Sequence, residues 1–214
     1  MDLQGNLFFD GPAGRIEALL KAPHTEVTRA AVIAHPHPLF GGTMHNKVVY
    51  RIAKAFQDAG FAALRFNFRG AGRSAGTHDN GRGEQDDLRA AIGYIEQTYP
   101  DAELWLAGFS FGALATWRVG CADARARALA LAGLPVSKYG IESLPAACPK
   151  PKLIVQGAQD EFGATADLEN FFATLEGEKQ LRIIESADHF FEGRLDELYK
   201  AVSAFIHSLS SVPK

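Results

Sequence analysis

Residues 103–117 read ELWLAGFSFGALATW. The apolar run ELWLA has the character of a buried strand, and it ends at Gly108. Ser110 follows, and Gly112 opens a stretch of small residues that reads as the start of a helix. A strand that enters a helix through G-x-S-x-G has two readings. One is a packing turn with an idle serine. The other is a strained corner that exposes a serine hydroxyl as a nucleophile, with glycines removing Cβ atoms that would clash. Residues elsewhere in the chain decide between them.

Outward from this stretch, the chain alternates short apolar runs with helical patterns. AAVIAH reads as a strand, Asn46 to Ala59 as a helix and FAALRF as a strand. GRGEQDDLRAAIGYIEQTY reads as a helix, then ELWLAG as a strand, FGALATWRVG as the start of a helix, and ARALALAG and KLIVQG as strands. A helix from about Ala164 to Leu175, the strand QLRIIES and a helix from about Leu195 to Leu209 complete the series. Ahead of them, NLFFD and RIEALLKA flank GPAG as an antiparallel hairpin, with Ile16, Ala18 and Leu20 alternating with Glu17, Leu19 and Lys21. Nearly continuous apolar strands between helices imply an α/β fold: a mostly parallel, twisted sheet of about eight strands with helices on both faces. No repeat or linker divides residues 1–214, so one domain is expected. Reactive groups in such a sheet belong just beyond the carboxyl ends of the strands.

Three residues meet that condition. Ser110 follows ELWLA, Asp160 follows KLIVQ through the turn GAQ, and His189 follows QLRIIES. A neutral serine needs a general base, and the base needs an acceptor that holds its tautomer. The order serine, acid, histidine is the one that α/β-hydrolases use. The other histidines compete poorly. His207 falls off the apolar stripe of the last helix, and His24 and His78 lie in polar loops. Glu161 is a second carboxylate beside Asp160, expected to point elsewhere.

Several further motifs make the sequence resemble the α/β-hydrolase superfamily over essentially its whole length. They are HPHPLFGGTMHNKVV at residues 35–49, NFRGAGRS at 67–74, GAQD at 157–160 and ADHFF at 187–191. Within it, the chain is similar to small bacterial serine hydrolases related to dienelactone hydrolase. The resemblance implies Ser110 as nucleophile, Asp160 as acid and His189 as base, acting on small or moderate acyl esters without a cofactor. It leaves thioesters, lactones, peptides and a non-catalytic binding role as alternatives. The first oxyanion donor implied is the Phe111 N–H. Pro36 and Pro38 have no N–H to offer, so the second is expected from Leu39, with His37 as the alternative.

Only GLPVSKYGIESLPAACPKP separates ALALA from KLIVQ, too little for a lid domain, so the site is expected to be open and shallow. Phe109, Phe111, Phe162, Phe190 and Phe191 neighbour the three residues; some are expected in the core and some in an apolar pocket. His35 and His37 have the spacing of a zinc pair but no evident third ligand beyond His45, so no metal is expected. Arg69 and Arg73 are read as ties between neighbouring loops. The net charge of −3 gives no reason to expect nucleic acid, and the longest apolar runs fall short of a membrane span. MDLQGNLFFDGP has no basic region followed by an apolar core, so no secretory leader is expected. Cys121 and Cys148 are too few for a disulfide framework. A reducing cytoplasm is the expected compartment.

Overall fold

The computed structural model describes residues 5–139, 144 and 147–210. Eight strands form one sheet in the order β1-β2-β4-β3-β5-β6-β7-β8. They are β1 (Gly5–Gly11), β2 (Gly14–Lys21), β3 (Arg29–Ala34), β4 (Ala62–Phe66), β5 (Glu103–Phe109), β6 (Ala126–Ala132), β7 (Lys152–Gly157) and β8 (Lys179–Ile184). The hairpin β1–β2 is antiparallel and attaches antiparallel to β4; every other pairing is parallel. This is the expected α/β architecture with its N-terminal hairpin.

The helices are α1 (Lys47–Asp58), α2 (Gly83–Thr98), α3 (Phe111–Gly120), α4 (Val136–Tyr139), α5 (Thr165–Thr174) and α6 (Leu195–Ser210). Alternate residues of each central strand enter different cores. Val32 and Leu106 join Leu88, Ile92, Trp117 and Phe171 on one face. Ile33 and Trp105 join Ile52, Phe56, Val202 and Phe205 on the other, where α1 packs on α6. Burial on both faces explains why these strands read as continuous apolar runs rather than alternating ones.

Several local outcomes differ from the sequence reading. Glu17, on the polar side of the hairpin alternation, is buried, because its carboxylate accepts from Asn67 Nδ2 and the Arg73 N–H, each at 2.8 Å. His78 is not an idle loop residue: its side chain is tucked beside buried Glu84, with Nδ1 2.7 Å from Oε1, close enough for an ion pair though out of hydrogen-bond alignment. Cys121, just after α3, and Cys148, ahead of β7, are joined in a disulfide, with Cα atoms 4.8 Å apart. Two cysteines in sequence make no framework, but neighbouring parallel strands bring these two positions together. Helix α4 has no counterpart in the sequence reading, being a single turn. Of the short connection between β6 and β7, residues 140–143, 145 and 146 lie outside the described residues. Among the described residues no lid domain interrupts the fold.

Arg69 and Arg73 act as ties. Arg69 grips buried Asp87 of α2 with Nε at 3.0 Å and Nη2 at 2.8 Å, while the Arg73 guanidinium lies 4.8 Å from the Phe8 ring centre. Among the described residues no helix is long and apolar enough to cross a membrane.

Candidate active site

Ser110 sits between β5 and α3 with φ 56° and ψ −120°, a conformation that non-glycine residues rarely hold. Such backbone costs on the order of 1–3 kcal/mol and persists only where surroundings enforce it. Close packing enforces it here. A Cβ on Gly108 would lie 2.3 Å from the Gly112 carbonyl oxygen, and one on Gly112 would lie 2.4 Å from that of Ala34. Both glycines are therefore needed for close approach, and the corner drives helix α3 tightly against β3.

The loops after β5, β7 and β8 bring the three expected side chains together. Ser110 Oγ is 2.9 Å from His189 Nε2, and His189 Nδ1 is 2.7 Å from Asp160 Oδ2. The carboxylate at Nδ1 assigns the proton to that nitrogen, leaving Nε2 to accept from the serine hydroxyl. Asp160 is held on every side. Its Oδ1 accepts from the Phe162 N–H at 2.9 Å and the Gly163 N–H at 3.2 Å. Its Oδ2 also accepts from Gln156 Nε2 at 2.8 Å. The neighbouring Glu161 is exposed.

Gln156 was not singled out in the sequence, although a glutamine ending the apolar strand KLIVQ was a visible signal. It is fully buried. Besides Asp160, its Nε2 donates to the Gly163 carbonyl at 3.0 Å, and its Oε1 accepts from the Leu134 N–H at 2.9 Å. One amide thus joins β7, the acid loop and the loop after β6.

The loop after β3 borders the serine and closes through a 3-10 turn, Pro38–Phe40. The His37 carbonyl accepts from the N–H groups of Phe40 and Gly42, each at 3.1 Å. The Leu39 N–H donates to His37 Nδ1 at 3.3 Å, and its side chain is 69% exposed, away from the pocket. His37 lines the pocket, and its own N–H meets no acceptor among the described residues. The Phe111 N–H, at the first position of α3, is likewise free of an intrahelical partner, as first-turn amides are.

His35 anchors this loop from below. Fully buried, it donates from Nδ1 to the Pro36 carbonyl at 2.6 Å and accepts at Nε2 from the Phe68 N–H at 2.9 Å. Burial lowers its pKa to about 4, so it is neutral in this role. Both ring nitrogens are engaged, and among the described residues no three His, Cys, Asp or Glu side chains gather as metal ligands do. Burial and the nearby charges of His78 and Lys138 also lower the pKa of His37.

A cavity of about 400 Å³ opens beside Ser110. Its walls include Phe40, Tyr139, Phe162 and Phe190, and Lys138 stands at its edge. Phe109, Phe111 and Phe191 are instead core residues. The division follows from chain direction: Phe162 and Phe190 lie on loops above the sheet, whereas Phe109 points down into it.

Comparisons with known proteins agree with this architecture. Residues 28–208 match the family model of an alpha/beta hydrolase domain. A serine hydrolase homologue from Coxiella burnetii superposes with a TM-score of 0.87 at 39% identity, covering 93% of this chain and 95% of that one. A serine hydrolase without a lid from Xanthomonas campestris gives a TM-score of 0.87 at 33% identity, over 98% of this chain and 96% of that one. An uncharacterized protein of Rickettsia prowazekii is 36% identical over 96% of this chain and 90% of its own length. The chain belongs to the alpha/beta hydrolase family.

Proposed function

We propose that the protein is a serine hydrolase that cleaves small or moderate carboxylic esters through an acyl-enzyme on Ser110. The observation that carries this reading is the continuous relay from Ser110 Oγ through His189 to Asp160, with separations of 2.9 and 2.7 Å. As Oγ attacks the ester carbonyl carbon, His189 Nε2 takes the hydroxyl proton. Asp160 stabilises the imidazolium while remaining ionised. The tetrahedral oxyanion is held by backbone N–H groups, that of Phe111 at the positive end of α3 and that of His37. His37 is preferred to Leu39 because the Leu39 N–H is already committed to His37 Nδ1. Collapse expels the alcohol, which takes its proton from His189. Water then attacks the acyl group by the same route and frees the serine.

The test is labelling with a fluorophosphonate probe together with hydrolysis of 4-nitrophenyl acetate. Wild-type protein should be labelled and active. Ser110→Ala should be unlabelled, folded and slower by several orders of magnitude, because the relay acts as a unit. An alanine variant with near wild-type turnover would refute the serine mechanism.

The expected cytoplasmic placement remains part of this reading, and the Cys121–Cys148 bond sets a condition on it, since reducing compartments disfavour disulfides. Thiol alkylation in fresh cell extract reads which state the pair holds.

A further inference from the structure

The acyl-transfer reading leaves one feature of the pocket unused. Among the described residues that line the cavity, Lys138 is the only one with a permanent charge. It projects from α4 between two loops. Its Nζ lies 5.0 Å from the ring centre of Phe40, on the loop after β3, and 4.9 Å from that of Phe162, on the loop after β7. The Tyr139 ring is 5.7 Å away. No described carboxylate lies within ion-pair reach of it. Most acidic groups around the site are engaged elsewhere: Asp160 with His189, Glu84 with His78, Glu192 with Lys47, and Asp167 with the Ser137 hydroxyl. Glu161, next to Phe162, is exposed and forms no ion pair with Lys138.

An ammonium group held over aromatic faces keeps its full charge, since such contacts satisfy it without neutralising it. The charge also reaches into the pocket, where it contributes to the lowered pKa of His37. An apolar cavity normally rejects an anion, because desolvation is uncompensated. A fixed cation at the rim reverses that preference for a ligand whose anionic group lies at the mouth and whose apolar body lies between the rings.

We propose that the pocket selects esters carrying a carboxylate on a flat or compact apolar body, with Lys138 as the charge partner and the aromatic walls as the seat of that body. This rests on the acyl-transfer reading of Ser110 and adds a substrate class to it.

The experiment compares kcat/KM for 3-acetoxybenzoate with that for its neutral methyl ester, in wild type, Lys138→Met and Lys138→Glu. The anionic-to-neutral ratio should fall about fivefold in Lys138→Met, the scale of one exposed charge pair. It should fall further in Lys138→Glu, with most of the change in KM, and 0.5 M NaCl should erode the wild-type ratio toward that of the methionine variant, roughly as screening requires. An unchanged ratio across the three proteins overturns the proposal. If the neutral ester is cleaved in a Ser110-dependent way and the ratio does not move, only the charge assignment falls. If neither ester is cleaved, the acyl-transfer reading falls instead, and benzoate titrated calorimetrically into wild type and Lys138→Met decides the charge question. Weaker binding to the methionine variant then supports the subsite, and equal binding overturns it.

Discussion

Asp160 and Glu161 are adjacent carboxylates with opposite environments. The first accepts four hydrogen bonds in a buried loop, and the second is exposed. Asp160→Asn should therefore lower kcat/KM by about ten-thousandfold, the scale of loss when the orienting aspartate of a serine protease becomes an amide. Glu161→Gln should cost less than about tenfold. A crippled Glu161→Gln would mean that the acid is misassigned. Gln156 reaches the serine only through Asp160 and is expected to act as a positioning residue. Gln156→Leu removes the donor 2.8 Å from Oδ2 at similar volume. It should lower kcat for a 4-nitrophenyl ester by about tenfold or more and leave KM near the wild-type value, since this side chain does not line the pocket. A loss confined to KM would mean that Gln156 does not act through the acid.

At the scale of elements, the site depends on two loops being fastened to each other. The loop after β3 is tied to the loop after β4 by His35 to Phe68 and by the Met44 N–H to Asn67 Oδ1 at 2.8 Å. Glu84 and Asp87, on the first turns of α2, then hold the loop after β4 through the N–H groups of Asp79, Gly81 and Arg69. This fastening depends on pH through His35. Its pKa is 6.5 unfolded and about 4 folded. Above pH 6.5 both states are neutral there and stability is complete. Between 6.5 and 4 the unfolded chain binds a proton that the folded one refuses, so stability falls as pH falls, by up to about 3 kcal/mol. Urea midpoints measured from pH 7 to 4 should decline across that window, and His35→Gln should flatten that part of the decline. An equally steep decline in the variant would show that His35 contributes nothing to it.

For the molecule as a whole, the eight-stranded sheet presents β5, β7 and β8 at one crest, where Ser110, Asp160 and His189 converge from three separate loops. The cavity above them, about 400 Å³, lies at the small end of the range of ligand sites. With no lid domain to open, a lipid surface has nothing to activate. Butyrate esters should match or exceed laurate esters in kcat/KM, because methylenes that stay in water add nothing to binding. No rate jump should appear above the solubility limit of a long-chain ester. A sharp jump there would contradict the open-site reading.

Much of this was legible in the chain itself. Strands buried on both faces are apolar over most of their length, so ARALALAG and KLIVQG declared themselves locally, as did the start of α1 at Asn46, whose Oδ1 accepts from the Val48 N–H at 2.9 Å. Ser110, Asp160 and His189 could be singled out because each lies in the loop after a strand, the first two after strands of this kind and the third after the half-exposed edge strand β8. The rest needed the sheet order. Where the Leu39 N–H goes depends on the 3-10 turn, where two prolines and several hydrogen bonds compete within a few residues. The Leu134 bond to Gln156 and the meeting of Cys121 with Cys148 join segments 22 and 27 residues apart, and the burial of His78 against Glu84 sets a loop against the helix that follows it. Local periodicity records which side of an element is buried; it holds no record of what a distant loop will bring against it. That was decided only when parallel strands aligned their loops at one end.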